Sequence, residues 1–158
     1  MEFKQIADDI INHPKYQKLA SEDHHGLNRY EHSIRVAKST YKMTKALGLD
    51  YVSATRAALL HDFYLNEDFT EKNKFGKLTA HPELAVKTAK TCFEINEKEA
   101  NAIATHMFPL TFNLPNSKEA IILNIADTGV ALYECSRFKI ASVVSIWLLF
   151  VFNTITYR

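Results

Sequence analysis

Cysteine is nearly absent from this chain. Cys92 and Cys135 stand alone, without the CxxC spacing that zinc ribbons and thiol–disulfide catalysts need. Both read as small apolar core residues, and neither points to an oxidising compartment. An excess of charge of one sign is missing too. The 19 Lys and Arg meet 18 Asp and Glu, for a formal net charge of +1. That balance gives no general attraction for a nucleic-acid polymer, although a local basic pocket stays open. No uninterrupted apolar stretch of signal-peptide length follows Met1, since Glu2, Lys4, Asp8 and Asp9 interrupt it. The chain is therefore expected to start in the cytoplasm. Four glycines and four prolines make sparse punctuation, with no internal repeat, low-complexity tract or long linker. What remains is 47% apolar and 23% charged over 158 residues, an ordinary composition for one domain with a substantial core.

The periodicity is helical almost throughout. A short helix runs to about Ile11 and ends near His13-Pro14, and His24-His25-Gly26 reads as a loop. Asn28 caps the next helix, with Glu31 three residues on as half of a capping box. His32, Val36, Met43 and Leu47 share a face of that helix, and Gly48 closes it. Val52 to Leu60 forms another, with Ala54, Ala58 and His61 on one stripe. Asn66 to Lys77 is polar and reads as a surface loop, and Pro82 favours a helix start near His81 after Thr79 or Ala80. A helix over about Glu97 to Met107 puts Glu99, Ile103 and His106 on one face. Pro109 and Pro115 then bracket a loop. Ser117 caps a last helix in which Ala120, Leu123, Asn124, Asp127 and Ala131 share a face. The expected architecture is all-α, a single compact bundle of six or seven helices over residues 1–138.

The C-terminal residues 139–158 differ in character. Ile140 to Ile155 are 16 consecutive uncharged residues, Trp147 and Phe150 among them. A spanning helix needs about 20 apolar residues, with a lower limit near 17, and Ser142, Ser145, Asn153 and Thr154 dilute this run. We read it as an apolar helix packed on the bundle or a partner. A homodimer seam or a peripheral membrane contact through 140–155 is the other reading.

Six polar residues stand out against this apolar background: His32, the pair His61-Asp62, His81, His106 and Asp127. Each lies in or beside an apolar helical segment, where an unpaired histidine or aspartate would be costly to bury. Four imidazoles and two carboxylates form a mixed nitrogen/oxygen ligand set that suits iron, manganese, zinc or nickel better than calcium or magnesium. Singly, each has a plain explanation. A histidine on an apolar face is more often a satisfied core residue than a ligand, His81 could merely start a helix, and Asp127 could pair with an arginine. Joint occurrence, one residue per helix face or terminus, is what argues for a metal site.

The ordered pattern H…HD…H…H…D resembles the HD-domain superfamily of metal-dependent phosphohydrolases. It is carried by Arg29-Tyr30-Glu31-His32-Ser33, Leu59-Leu60-His61-Asp62, Thr79-Ala80-His81-Pro82, Thr105-His106-Met107-Phe108-Pro109-Leu110 and Ile125-Ala126-Asp127, and it covers roughly Arg29 to Glu134. The resemblance implies that His32, His61, Asp62 and Asp127 hold a first ion. It implies that His81 and His106 add a second, with Asp62 bridging the two. The cofactor implied is a pair of divalent transition-metal ions, iron or manganese ahead of zinc or nickel. The reaction implied is hydrolysis of a phosphoester or phosphoanhydride of a nucleotide or related small phosphate, with a metal supplying an activated water. The alternative is a one-metal site, with His81 and His106 acting on the substrate.

The resemblance also makes Arg29 a phosphate contact, for which a guanidinium is well shaped, against an ordinary surface ion pair with Glu22 or Asp23. Lys74 and Lys77 are further candidates for substrate phosphate, against plain solvation. Two departures from the family pattern matter. Phe63 to Asp68 contains two acids and no lysine, and Thr128 follows the last aspartate where relatives often carry a lysine. Less positive charge near the metals disfavours highly charged substrates such as nucleoside triphosphates. It also keeps alive a second class of function, a catalytically silent metal- or nucleotide-binding sensor. His13, His24 and His25 read as structural or solvated.

Overall fold

Side-chain caps set the helix starts. Asn28 Oδ1 accepts from Glu31 N at 2.8 Å, Asp50 Oδ1 from Ser53 N at 3.1 Å, Asn96 Oδ1 from Glu99 N at 2.9 Å and Ser117 Oγ from Ala120 N at 3.2 Å. Each satisfies an amide that the first helical turn would leave without a partner. The computed structural model describes residues 1–24, 27–69 and 74–156, and its side chains except at 23, 24, 27, 74, 75, 78 and beyond 137. The described α-helices are α1 (Phe3–Ile11), α2 (Pro14–Gln17), α3 (Arg29–Ala46), α4 (Tyr51–Leu60), α5 (Lys74–Cys92), α6 (Glu97–Thr105) and α7 (Lys118–Thr156). Short 3₁₀ turns lie at Lys18–Ser21 and Asn66–Asp68. A two-residue antiparallel ladder, β1 (Asp23–His24) on β2 (Leu27–Asn28), leads into α3. The architecture is all-α, as expected.

Two local expectations are corrected. Glu31 does not complete a capping box; its carboxylate turns to Arg35 one turn on, at 3.8 Å. A full box forms instead at α6, where Glu99 Oε2 accepts from Asn96 N at 2.9 Å. The polar stretch before His81 is not all loop, because α5 begins at Lys74 and carries Pro82 in its interior. An interior proline removes one helical hydrogen bond. Here His81, Ala85 and Ala89, spaced one turn apart, are all buried, and burying that stripe outweighs the lost bond.

The core is rich in alanine. Ala7, Ala37, Ala57, Ala58, Ala85, Ala89, Ala102 and Ala120 are buried together with Ile10, Leu19, Leu60, Phe63, Ile103 and Leu123. Small side chains let helices approach closely, so groups from several helices reach one place. α3 packs chiefly on α4 and α7, and α4 also packs on α6. α4 and α6 run side by side in the same direction. Near their starts Asn96 Nδ2 donates to Ser53 Oγ at 3.0 Å, and just past their ends the His61 and His106 rings meet with centroids 5.0 Å apart. Tyr16, from α2, donates to Leu59 O in the last turn of α4 at 3.0 Å. Gly48, with φ of 66°, follows α3 in the left-handed conformation that ends a helix.

Cys92 and Cys135 are free and half-buried, Cys92 packing against the core. The backbone of α7 runs unbroken past 138 to Thr156, whereas the side chains of the apolar run 140–155 lie outside the described residues. Among the described residues no helix is long and apolar enough to cross a membrane.

Candidate metal centre

The six residues singled out in the sequence converge. His32 comes from the first turns of α3, His61 from the C-cap of α4 with Asp62 next to it, and His81 from α5. His106 is the C-cap of α6, and Asp127 lies on α7. All four imidazoles and Asp62 are buried. His32 Nε2 lies 3.0 Å from Asp127 Oδ1, and His61 Nε2 lies 3.6 Å from the same oxygen. Asp62 faces two ways. Its Oδ2 is 3.8 Å from His61 Nε2, while its Oδ1 is 3.5 Å from His81 Nε2 and 3.8 Å from His106 Nε2.

Ring tautomers follow from the outward nitrogens. His61 Nδ1 donates to Ala58 O at 2.8 Å and His106 Nδ1 to Ile103 O at 2.7 Å. Both acceptors are carbonyls in the last turn of a helix, where partners along the helix run out. A neutral ring that donates from Nδ1 presents a bare lone pair at Nε2. His81 Nε2 therefore donates to His106 Nε2 across 2.9 Å.

Charge in the cluster is balanced by imidazole. Burial pushes His61 down, but the nearby Asp62 and Asp127 carboxylates outweigh it and lift the ring to about 9. Burial likewise opposes protonation of His32, and the bond to Asp127 overcomes it and raises the ring above 6.5. His106 moves the other way, down to about 4, through burial and the neighbouring His61 and His81. Burial would raise Asp127, yet the bond from His32 and the nearby His61 ring hold its carboxyl well below the usual carboxylate range. A buried carboxylate, Asp62, and a half-buried one, Asp127, are thus compensated by protons that a cation can replace.

The donor set fits a divalent metal. His32, His61 and Asp127 form one group whose ligand atoms lie within 4.8 Å of one another, and His61, Asp62 and His106 form a second. His61 Nε2 is buried with no hydrogen-bond partner, 3.6 Å from Asp127 Oδ1 and 3.8 Å from Asp62 Oδ2, a nitrogen aimed at the centre. The His81–His106 separation also fits, since two nitrogens bound at right angles at about 2.1 Å lie about 3 Å apart.

The remaining candidates are placed apart. Arg29 is 4% exposed, donates through Nη1 to Tyr64 O at 2.7 Å, stacks 4.0 Å above the Tyr64 ring and pairs with Glu22 at 3.6 Å. The ion pair with Glu22 exists, with the arginine buried and the carboxylate half-buried, and Tyr64 links Arg29 to the cluster, its ring centroid 5.5 Å from that of His81. Lys77 is on α5 rather than in a loop, one turn before His81, with its ammonium 5.2 Å from the Phe69 ring centroid. Lys74 is in the first turn of α5, and its side chain lies outside the described residues. His13 is structural: it caps α2 and packs its ring on Phe63 and Phe93. His24 falls in β1, and its side chain and all of His25 lie outside the described residues.

Two residues escaped the sequence reading as site components. Glu134 is buried on α7, with Oε2 2.8 Å from His32 Nδ1 and Oε1 3.3 Å from Arg35. Its spacing of two helical turns from Asp127 was the available signal. Asn124 donates to His106 O at 2.5 Å and to Phe108 O at 2.6 Å, fastening the segment after His106 to α7.

The family model for the HD domain matches residues 29–129. The chain belongs to the HD domain family. Its members form a superfamily of metal-dependent phosphohydrolases that bind divalent ions, and the matched span contains all six clustered residues. The HD chain is also similar to ribonuclease Y 1 of Levilactobacillus brevis, 34% identical over 97 residues. That match covers 59% of this chain and 18% of the relative, so the HD chain spans under a fifth of the larger protein. No solved structure matches it.

Proposed function

We propose that this HD domain hydrolyses a phosphoester or phosphoanhydride of a nucleotide or related small phosphate, using two divalent transition-metal ions, iron or manganese ahead of zinc or nickel. The observation that carries the reading is the two-way placement of Asp62, one oxygen toward His61 and the other toward His81 and His106. His32, His61, Asp62 and Asp127 would hold one ion, and Asp62, His81 and His106 the other. A bound ion of this kind supplies the acidity that makes water a nucleophile near neutral pH and offsets charge on a phosphoryl oxygen. The chain's own residues orient and fasten. Ala58 O and Ile103 O hold two rings with Nε2 inward, Asn124 pins the segment after His106, and Arg29 holds the Tyr64 carbonyl two residues beyond Asp62. Lys77, one turn before His81, is our candidate contact for substrate phosphate, with Lys74 beside it. Arg29, a phosphate contact on the family resemblance, is read instead as a support of the site, because its guanidinium is engaged by Tyr64 and Glu22.

The relative's name is that of a ribonuclease, which adds phosphodiesters to the substrates worth testing. The net charge of +1 favours a small substrate over a polymer. The test is metal content by elemental analysis on protein purified without chelator, followed by turnover of bis-p-nitrophenyl phosphate, a dinucleotide and a short RNA after manganese loading. The expected result is close to two ions per chain and hydrolysis of the small esters, both lost in Asp62→Ala. Close to one ion would move His81 and His106 to substrate contacts. Binding without turnover of any substrate would favour the sensor reading. Turnover of RNA alone would replace the small substrate with a polymer.

A further inference from the structure

The rings of the centre are fastened in two ways. His61 and His106 stand at helix ends, and each finds an acceptor for Nδ1–H on its own helix, at Ala58 O and Ile103 O. His32 sits inside α3, where the carbonyls of the preceding turn take part in the helix ladder. Its acceptor has to come from elsewhere. Glu134 provides it across 102 residues of chain, at 2.8 Å.

The arrangement around this ring is specific. Asp127 and Glu134 lie two turns apart on one face of α7 and bracket a single imidazole, Asp127 at Nε2 and Glu134 at Nδ1. Glu134 is 2% exposed, and a buried carboxylate is costly unless its oxygens are engaged. Both are, Oε2 by His32 and Oε1 by Arg35. Anchored at two points, the carboxylate has one orientation, and the ring has one as well.

We propose that Glu134 is a positioning residue of the metal centre: it holds the proton on His32 Nδ1, turns Nε2 toward the ion beside Asp127, and is itself held by Arg35. The inference rests on the metal-binding reading above. Outer partners of this kind typically change metal affinity by about 10–100-fold. Glu134 does not touch substrate or ion, so its effect passes through His32.

The experiment uses the full chain with zinc as a diamagnetic probe. Zinc affinity is measured by chelator competition for wild type and Glu134→Gln, with circular dichroism to check the fold. Ring ¹⁵N shifts of His32, assigned by their loss in His32→Gln, report which nitrogen carries zinc. The expected result is zinc on Nε2 and a slowly exchanging proton on Nδ1 in wild type. In folded Glu134→Gln, affinity falls about tenfold or more and the Nδ1 proton exchanges faster. Affinity within about twofold of wild type together with an unchanged His32 spectrum overturns the inference while leaving the metal reading intact. Should Glu134→Gln fail to fold, the wild-type spectrum decides alone: zinc on Nδ1, or no proton there, overturns the proposal. A wild type that takes up no zinc, manganese or iron removes the metal reading and this inference with it.

Discussion

The two ends of the α4–α6 pair both carry buried acids, and they neutralise them differently. At the starting end, Lys98 pairs with Asp50 at 3.2 Å and Glu119 at 3.5 Å, and Arg56 with Glu99 at 3.3 Å and Asp9 at 2.8 Å. At the finishing end, Asp62 and Asp127 are faced by imidazoles. Lysine and arginine hold their charge at any physiological pH and cannot be displaced by an ion. Imidazole gives up its proton near neutrality and offers a lone pair in its place. The choice of counter-charge therefore separates a structural network from a site prepared for metal, even though both are polar clusters in the same bundle.

Substitutions at the two ends should part company. The largest effect is expected from His61→Ala, which removes a ligand common to both groups. Metal content measured by elemental analysis should fall to background and phosphodiester hydrolysis should vanish, while circular dichroism still reports a helical fold. Next comes Glu99→Ala at the other end, which removes a capping box and a largely buried ion pair. A loss of about 2–4 kcal/mol in urea unfolding is expected, with metal stoichiometry unchanged. A loss of metal in this variant would break the distinction.

A pH series sharpens the same contrast. In chelator-treated protein, His61 is raised to about 9. Its contribution to stability is fully present below the ordinary value of 6.5 and is lost as pH rises through about 9. Asp127 is depressed, so its contribution is present above the ordinary carboxylate value and is lost as pH falls through the lowered one. Urea unfolding between about pH 6 and pH 10 should show stability declining on the alkaline side. Manganese should abolish that decline, because the ion takes the place of the proton. The smallest effect is expected from Lys98→Ala, an exposed pair screened by water: a melting shift smaller than that of Glu99→Ala, and less still at high salt.

The cluster was legible because its residues fall at recognisable places, two at helix C-termini and others on apolar stripes. The supports were not. Glu134 looks like one more acid near a helix end until α3 and α7 are seen side by side. Arg29 reads as a phosphate contact or a surface pair with Glu22 or Asp23; Glu22 is its partner, but the Tyr64 carbonyl that it also holds comes from a segment without periodicity. The start of α5 was hidden by Pro82, a residue that marks a first turn by preference and sits in an interior here because burial of the His81, Ala85 and Ala89 stripe overrides it.

The parallel course of α4 and α6 has one more consequence. Both helices end at the cluster, so their aligned peptide dipoles bring two negative ends to bear on one small volume, next to two carboxylates. As the ion displaces the imidazole protons, that field favours the cation over phosphate at the cluster. Binding should then be ordered, ion first and phosphate second. Calorimetric titration of inorganic phosphate into chelator-treated protein should give no heat, and the same titration after manganese loading should give a binding isotherm.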